Sequence, residues 1–233
     1  MGTITGLLFD KDGTLFDFEA TWGAWAQGMA FELAEGDPAL AGRLAAAIGF
    51  DLRAARFERA SPVIAGTVAE VAELMLPLLP RHDLQSLVAT LDLGAQRAPQ
   101  VPAADLPLCL GGLKARGMRL GVATNDAEAS ARVHLQKAGV GAFFDYVAGY
   151  DSGHGAKPGA GPLLAFATAF ALVPASVAMV GDSLHDMAAA RAAGMRAVAV
   201  LSGPATRADL AGAADVVLGT IAELPDWLDA GAP

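Results

Sequence analysis

The chain has 233 residues, of which 54% are hydrophobic and 18% charged, with a formal net charge of −9. Such a composition predicts one or two folded domains with a sizeable core and argues against disorder. The acidic balance argues against nucleic-acid and anionic-membrane partners, which bind through cationic surface, and admits an anionic substrate only where positive charge is locally concentrated.

In chain order, the first predicted strand is Ile4–Phe9, apolar throughout, as expected of a strand covered on both faces. It runs straight into Asp10-Lys11-Asp12-Gly13-Thr14. Residues 18–104 then read as an all-helical insert without a convincing strand, with helices over Glu19–Ala34, Pro38–Ala47, Ala65–Leu79 and Leu84–Leu91. Inside it, Arg53, Arg56 and Arg59 recur every three residues and read as one helix face. That face is expected to be solvated beside Glu58; the sharper alternative is an arginine reaching a substrate carboxylate or distal phosphate. Trp22 and Trp25 are expected in the core of the insert rather than as a substrate platform. Ser61–Thr67 reads as a loop facing the site, without residue assignments.

After residue 105, strands alternate with helices. Strands are predicted at Arg119–Thr124, Tyr146–Ala148, Val177–Val180, Ala197–Val200 and Val216–Leu218. Helices over Leu106–Ala115, Ala127–Ala138 and Leu184–Ala193 each close on a glycine. The alternation predicts a doubly wound α/β core, residues 1–17 and 105–233, built on a parallel sheet with helices on both faces. The charge-free stretch from Pro158 to Gly181 is long enough to cross a bilayer, but its prolines and polar end fit a buried helix over Pro162–Leu172, a turn at Pro174 and a short strand better. The single cysteine, Cys109, reads as a small buried hydrophobe and has no internal disulfide partner. With no signal peptide visible, a cytoplasmic location is expected, and no membrane association.

In open α/β sheets, ligands gather beyond the carboxyl ends of the strands. Here those ends carry Asp10 and Asp12, then Thr124-Asn125-Asp126, then Lys157 before a proline, then Gly181-Asp182-Ser183-Leu184-His185-Asp186. Carboxylates one residue apart repel each other. A hard divalent cation with oxygen ligands offsets the repulsion among Asp10, Asp12 and Asp182, and Mg²⁺ is the expected ion. Asp182 and Asp186 are four apart at a helix start, so both can face one way, one toward the metal and the other toward water or the lysine.

These four motifs, in this order on these strand ends, resemble the haloacid dehalogenase-like hydrolase superfamily. The insert resembles the helical cap of its phosphoglycolate phosphatase-like branch. The resemblance implies an aspartyl-phosphate mechanism. It makes Asp10 the nucleophile and Asp12 the general acid and base. It assigns phosphoryl oxygens to the Thr124 hydroxyl and the Asn125 amide, and charge neutralisation to Lys157. It gives Mg²⁺ to Asp10, the Asp12 backbone carbonyl and Asp182, with Asp186 in support. Gly13 permits the tight turn behind the strand. The implied substrate is a small phosphorylated metabolite, phosphoglycolate or a sugar phosphate.

Competing readings remain at this point. A sugar phosphomutase of the same superfamily would keep all four motifs. A non-catalytic phospho-ligand binder or regulator is the alternative from another class. Imine chemistry with a cap lysine is disfavoured, because no lysine occurs between Asp12 and Lys114. Taken singly, Thr124-Asn125-Asp126 also reads as a helix N-cap. His154, His185, His82 and His134 are expected to be ordinary loop or core histidines.

Overall fold

The computed structural model describes residues 3–231. The first apolar run forms β1 (Gly6–Phe9), with every residue buried. The insert follows: α1 (Phe18–Leu33), α2 (Pro38–Ala47), a short ribbon of β2 (Phe50–Asp51) and β3 (Arg56–Phe57), then α3 (Val68–Met75) and α4 (Leu84–Ala95). Beyond it the chain alternates through α5 (Leu106–Ala115), β4 (Arg119–Ala123), α6 (Glu128–Lys137), β5 (Tyr146–Ala148), α7 (Gly161–Ala169), β6 (Val177–Gly181), α8 (Leu184–Ala193), β7 (Arg196–Val200), α9 (Arg207–Leu210), β8 (Val216–Leu218) and α10 (Leu224–Asp229).

Among the described residues, β1 and β4–β8 form one six-stranded parallel sheet in the order β5-β4-β1-β6-β7-β8. The alternation of side chains across the pleat is explicit. Leu7 and Phe9 of β1 pack on one face with Ala178, Val180, Val198 and Val200, under helices that include α5 and α10. Leu8 packs on the other face with Val177, Met179, Ala197 and Ala199, under helices that include α7 and α8. Both faces are therefore closed by helices, and every strand can be apolar throughout. β1 lies between β4 and β6, so the loops after these three strands converge.

Residues 18–98 form a separate apolar cluster around Trp22, Ala26, Leu44, Ile48, Met75 and Leu87. It does not consist of helices alone, which corrects the expectation for this region. The Asp51 carboxylate accepts from the backbone N–H groups of Arg53 and Ala54, at 2.8 and 3.0 Å, and turns the chain into the β2–β3 ribbon. Phe50 and Phe57 then meet across it with ring centroids 4.8 Å apart. Arg53, Arg56 and Arg59 consequently do not share a helix face; all three are exposed. Arg59 instead reaches Asp209 of α9, at 2.5 Å.

The helix expected over Ala65–Leu79 is shorter for a local reason. Thr67 and Glu70 form a reciprocal capping box, which starts α3 at Val68. Pro77 lacks an N–H, and the chain continues past Met75 as a single 3₁₀ turn over Leu76–Leu78. No helix among the described residues is long and apolar enough to cross a membrane.

Candidate active site at the ends of β1, β4 and β6

The backbone N–H of Asp10 donates to Val180 O at 2.8 Å, extending the β1–β6 ladder one residue beyond β1. The chain then folds back tightly. The N–H groups of Leu15 and Phe16 both donate to Lys11 O, at 2.9 and 3.1 Å, and Gly13 N–H donates to Phe16 O at 2.7 Å. Gly13 has φ +77°, and a Cβ there would overlap the Asp182 carboxylate. A Cβ at Gly203 would overlap the same carboxylate from another direction. Two glycines thus make room for Asp182, whose Oδ1 also accepts from the Thr14 hydroxyl at 3.4 Å.

Asp186 lies in the first turn of α8. Its Oδ2 accepts from the Ser183 hydroxyl at 2.6 Å and the Ser183 N–H at 3.0 Å. Its Oδ1 accepts from Lys157 Nζ at 2.6 Å. The same ammonium lies 2.8 Å from Asp10 Oδ1. Lys157 therefore bridges the ends of β1 and β6 from the loop between β5 and α7. One carboxylate oxygen each of Asp10, Asp182 and Asp186 can be chosen so that all lie within 4.8 Å of one another.

The electrostatics follow from burial. Among the described residues, Asp10, Asp12, Asp126, Asp182 and Asp186 cluster around two ammonium groups, Lys11 and Lys157. Burial, reinforced by Asp10 and Asp186, holds the Asp182 carboxyl well above the usual range. Burial also pushes Asp10 up to about 7, although Lys157 pulls it down. Burial alone would lower the Lys157 pKa, but Asp10 and Asp186 raise it above lysine's ordinary value. A buried site with this surplus of negative charge and oxygen donors is chemically suited to a hard cation.

Thr124 and Asn125 follow β4. The Thr124 N–H donates to Ala148 O, and its hydroxyl oxygen accepts from Asp126 N–H at 3.1 Å, which leaves the hydroxyl hydrogen to donate elsewhere. Asn125 is a three-way connector. Its Oδ1 accepts from Lys157 N–H at 2.9 Å; its Nδ2 donates to Lys157 O and to Ala65 O of the insert, both at 2.8 Å. None of the three residues caps α6 with its side chain: the N-cap position is Ala127, and Asp151 accepts from Glu128 N–H at 2.8 Å.

Sequence reasoning gave no site role to Lys11, Asp126 or His134. Lys11 is wholly buried. Its ammonium lies 2.7 Å from Asp12 Oδ2, 3.1 Å from Asp126 Oδ2 and 3.1 Å from His134 Nδ1. His134 Nε2 faces Ala95 O at 2.9 Å, so Nε2 carries the hydrogen and Nδ1 accepts from Lys11. No local signal marks Lys11: β1 ends at Phe9, and the tight turn that follows lets the Lys11 and Asp12 side chains meet.

Asp10, Asp12, Thr124, Asn125 and Lys157 line one cavity. The insert supplies its opposite wall, including both Trp22 and Trp25. Trp22 also belongs to the apolar cluster of the insert, so it serves both the packing and the cavity. His185 lines the cavity rim and is exposed; His154 is exposed and lines no part of it.

The family model for haloacid dehalogenase-like hydrolases matches residues 4–194. The chain belongs to the haloacid dehalogenase-like hydrolases. Within that family it is 39% identical over 122 residues to the phosphoglycolate phosphatase of Chromobacterium violaceum, covering 52% of this chain and 54% of the relative. It is 38% identical over 119 residues to the phosphoglycolate phosphatase of Rhodospirillum rubrum, covering 51% and 49%. This chain spans about half the length of the curated relatives it matches. The crystal structure of the HAD phosphatase from Thermococcus onnurineus superposes with a TM-score of 0.67 at 22% identity, covering 97% of this chain and 98% of that one, and shows the shared fold.

Proposed function

We propose that this hydrolase is a Mg²⁺-dependent phosphatase that cleaves a small phosphate monoester through an aspartyl phosphate on Asp10. The observation that carries this reading is the pairing of Asp10 with Lys157 at 2.8 Å beside the buried carboxylates of Asp182 and Asp186. Phosphoryl transfer requires positioning and charge neutralisation above all, and both are built into that arrangement.

In this reading residues 1–17 and 105–233 are the catalytic core and residues 18–104 the cap. Asp10 attacks phosphorus while the bond to the leaving oxygen breaks. Asp12, on the same cavity wall, gives its proton to the departing alkoxide. Water then attacks the aspartyl phosphate, Asp12 takes its proton, and Asp10 and inorganic phosphate are released. Lys157 stays beside Asp10 and neutralises phosphoryl charge. The Thr124 hydroxyl and the Asn125 N–H hold phosphoryl oxygens. Asp10, Asp182 and the Asp12 carbonyl would hold the Mg²⁺, which supplies charge neutralisation to the phosphoryl group. Asp186, bonded to Ser183 and Lys157, fixes the lysine rather than offering a free oxygen.

Phosphate release from acetyl phosphate with added Mg²⁺, and its loss on chelation, tests the activity. Asp10→Asn is expected to abolish turnover while the circular dichroism spectrum stays unchanged. Turnover near the parent rate in that variant would refute Asp10 as nucleophile.

A further inference from the structure

The cavity lined by Asp10 has a volume of about 80 Å³ and adjoins a cleft of about 550 Å³. The cavity's two walls differ in chemistry. The core wall carries the carboxylates, Thr124, Asn125 and Lys157. The insert's wall is apolar and includes Phe18, Trp22, Trp25, Val63, Ile64 and Val68. Trp22 and Trp25 meet edge to face, with centroids 5.1 Å apart and planes at 86°. No arginine or lysine of the insert lines the cavity. Arg53 and Arg56 stay on the exposed ribbon, and Arg59 is held by Asp209.

The adjoining cleft shares Ala65, Gly66, Lys157 and His185 with the cavity, and on the insert side carries Glu70 and Glu73. Among the described residues, the only ammonium group on the cavity lining belongs to Lys157, already placed between Asp10 and Asp186. A substrate whose organic part carried a carboxylate would press it against tryptophan and aliphatic side chains. It would lose its water there without gaining a cation, in a site already crowded with negative charge. An uncharged apolar group would instead cover that wall and find aromatic edges and faces to pack on.

We infer that the substrate is a phosphate monoester of a compact, uncharged, largely apolar alcohol, and that Trp22 and Trp25 select it against esters of hydroxy acids. This rests on the phosphatase reading above and narrows it. The phosphoryl group lies among the core residues, and the organic part lies against the insert.

The Mg²⁺-loaded full chain is assayed on benzyl phosphate and phosphoglycolate, with acetyl phosphate as a small generic substrate. The first two are both primary alkyl esters, so their intrinsic reactivities are comparable. The expected result is a kcat/KM for benzyl phosphate at least about tenfold above that for phosphoglycolate, the size an aromatic contact supports. Trp25→Ala is expected to bring the two toward parity, and Ile64→Arg, which sets a guanidinium in the wall, to favour phosphoglycolate. Turnover of acetyl phosphate together with equal or better use of phosphoglycolate by the parent chain overturns the inference alone. Failure to turn over any of the three overturns the phosphatase reading and this inference with it.

Discussion

The ammonium of Lys11 lies 2.7 Å from one carboxylate oxygen of Asp12, the next residue in the chain, and 2.9 Å from the other. Adjacent residues rarely make such a contact in a strand, where neighbours point to opposite faces. The tight turn after Asp10 allows it. On its other sides the ammonium meets His134 Nδ1, which accepts from it, and Asp126 Oδ2, an ion-pair neighbour at 3.1 Å.

Lys11 therefore fixes the direction in which Asp12 presents its carboxyl group. In Lys11→Met, kcat on an alkyl phosphate is expected to fall about a hundredfold, the usual worth of a placed general acid. The fall on p-nitrophenyl phosphate is expected to be much smaller, because that leaving group departs without a proton. An equal fall on both would show that Lys11 is only structural. Lys11→Met also strands the buried Asp126 charge, a cost of about 3–5 kcal/mol. The double variant Lys11→Met with Asp126→Asn removes that burden and keeps the comparison readable.

Asp182 concentrates the surplus of negative charge, with burial, Asp10 and Asp186 all disfavouring its ionised form. Asp182→Asn is expected to raise the thermal midpoint of chelator-treated protein by about 5 °C, corresponding to one or two kcal/mol in a chain of this size. The same variant should lose most of the stabilisation that Mg²⁺ gives the parent. Differential scanning calorimetry with and without Mg²⁺ checks both, and a midpoint below the parent's under chelation would contradict the charge argument.

His134 has a pKa lowered to about 4, chiefly by burial and then by the Lys11 ammonium. Its folded-state pKa is below its unfolded one, so the unfolded chain binds the extra proton first as pH falls. Stability from this residue is complete well above pH 6.5 and is lost progressively toward pH 4, about 3 kcal/mol across the window. Urea unfolding at intervals between pH 7 and pH 4 should show a shallower acid loss in His134→Asn than in the parent. Parallel profiles would mean that His134 is not held neutral.

Arg53 and Arg56 are exposed and far from any role on the cavity lining. Arg53→Ala is expected to change stability by less than about 0.5 kcal/mol and to leave the ratio of kcat/KM for phosphoglycolate and glycerol phosphate unchanged. A selective loss on phosphoglycolate would restore an anion-reading role for the ribbon.

How far the sequence was legible depended on whether a feature was local. The bounds of α2, α5 and α8 coincide with their predicted ranges, because a capping aspartate or serine starts each helix. The parallel sheet was legible because apolar runs alternated with helical ones, and Asp10, Asp182 and Lys157 stood at their ends. The β2–β3 ribbon was not, since Asp51 makes the turn with its side chain and the three-residue spacing of the arginines imitates a helix. Lys11 was not either. A lysine reads as surface until its partners, brought from residues 126 and 134, are known. The placement of Trp22 at the cavity depends on how α1 docks over the strand ends, which no local pattern in that helix reveals.

The connector role of Asn125 bears on timing. Two of its three bonds run to the backbone of Lys157 and one to Ala65 of the insert. Swinging the insert away would cut only the last, so the lysine keeps its station while the door stands open. An arriving ester would meet a floor already assembled, and shutting the door would remake the Asn125–Ala65 bond together with the contacts of Arg59 with Asp209 and of His134 with Ala95.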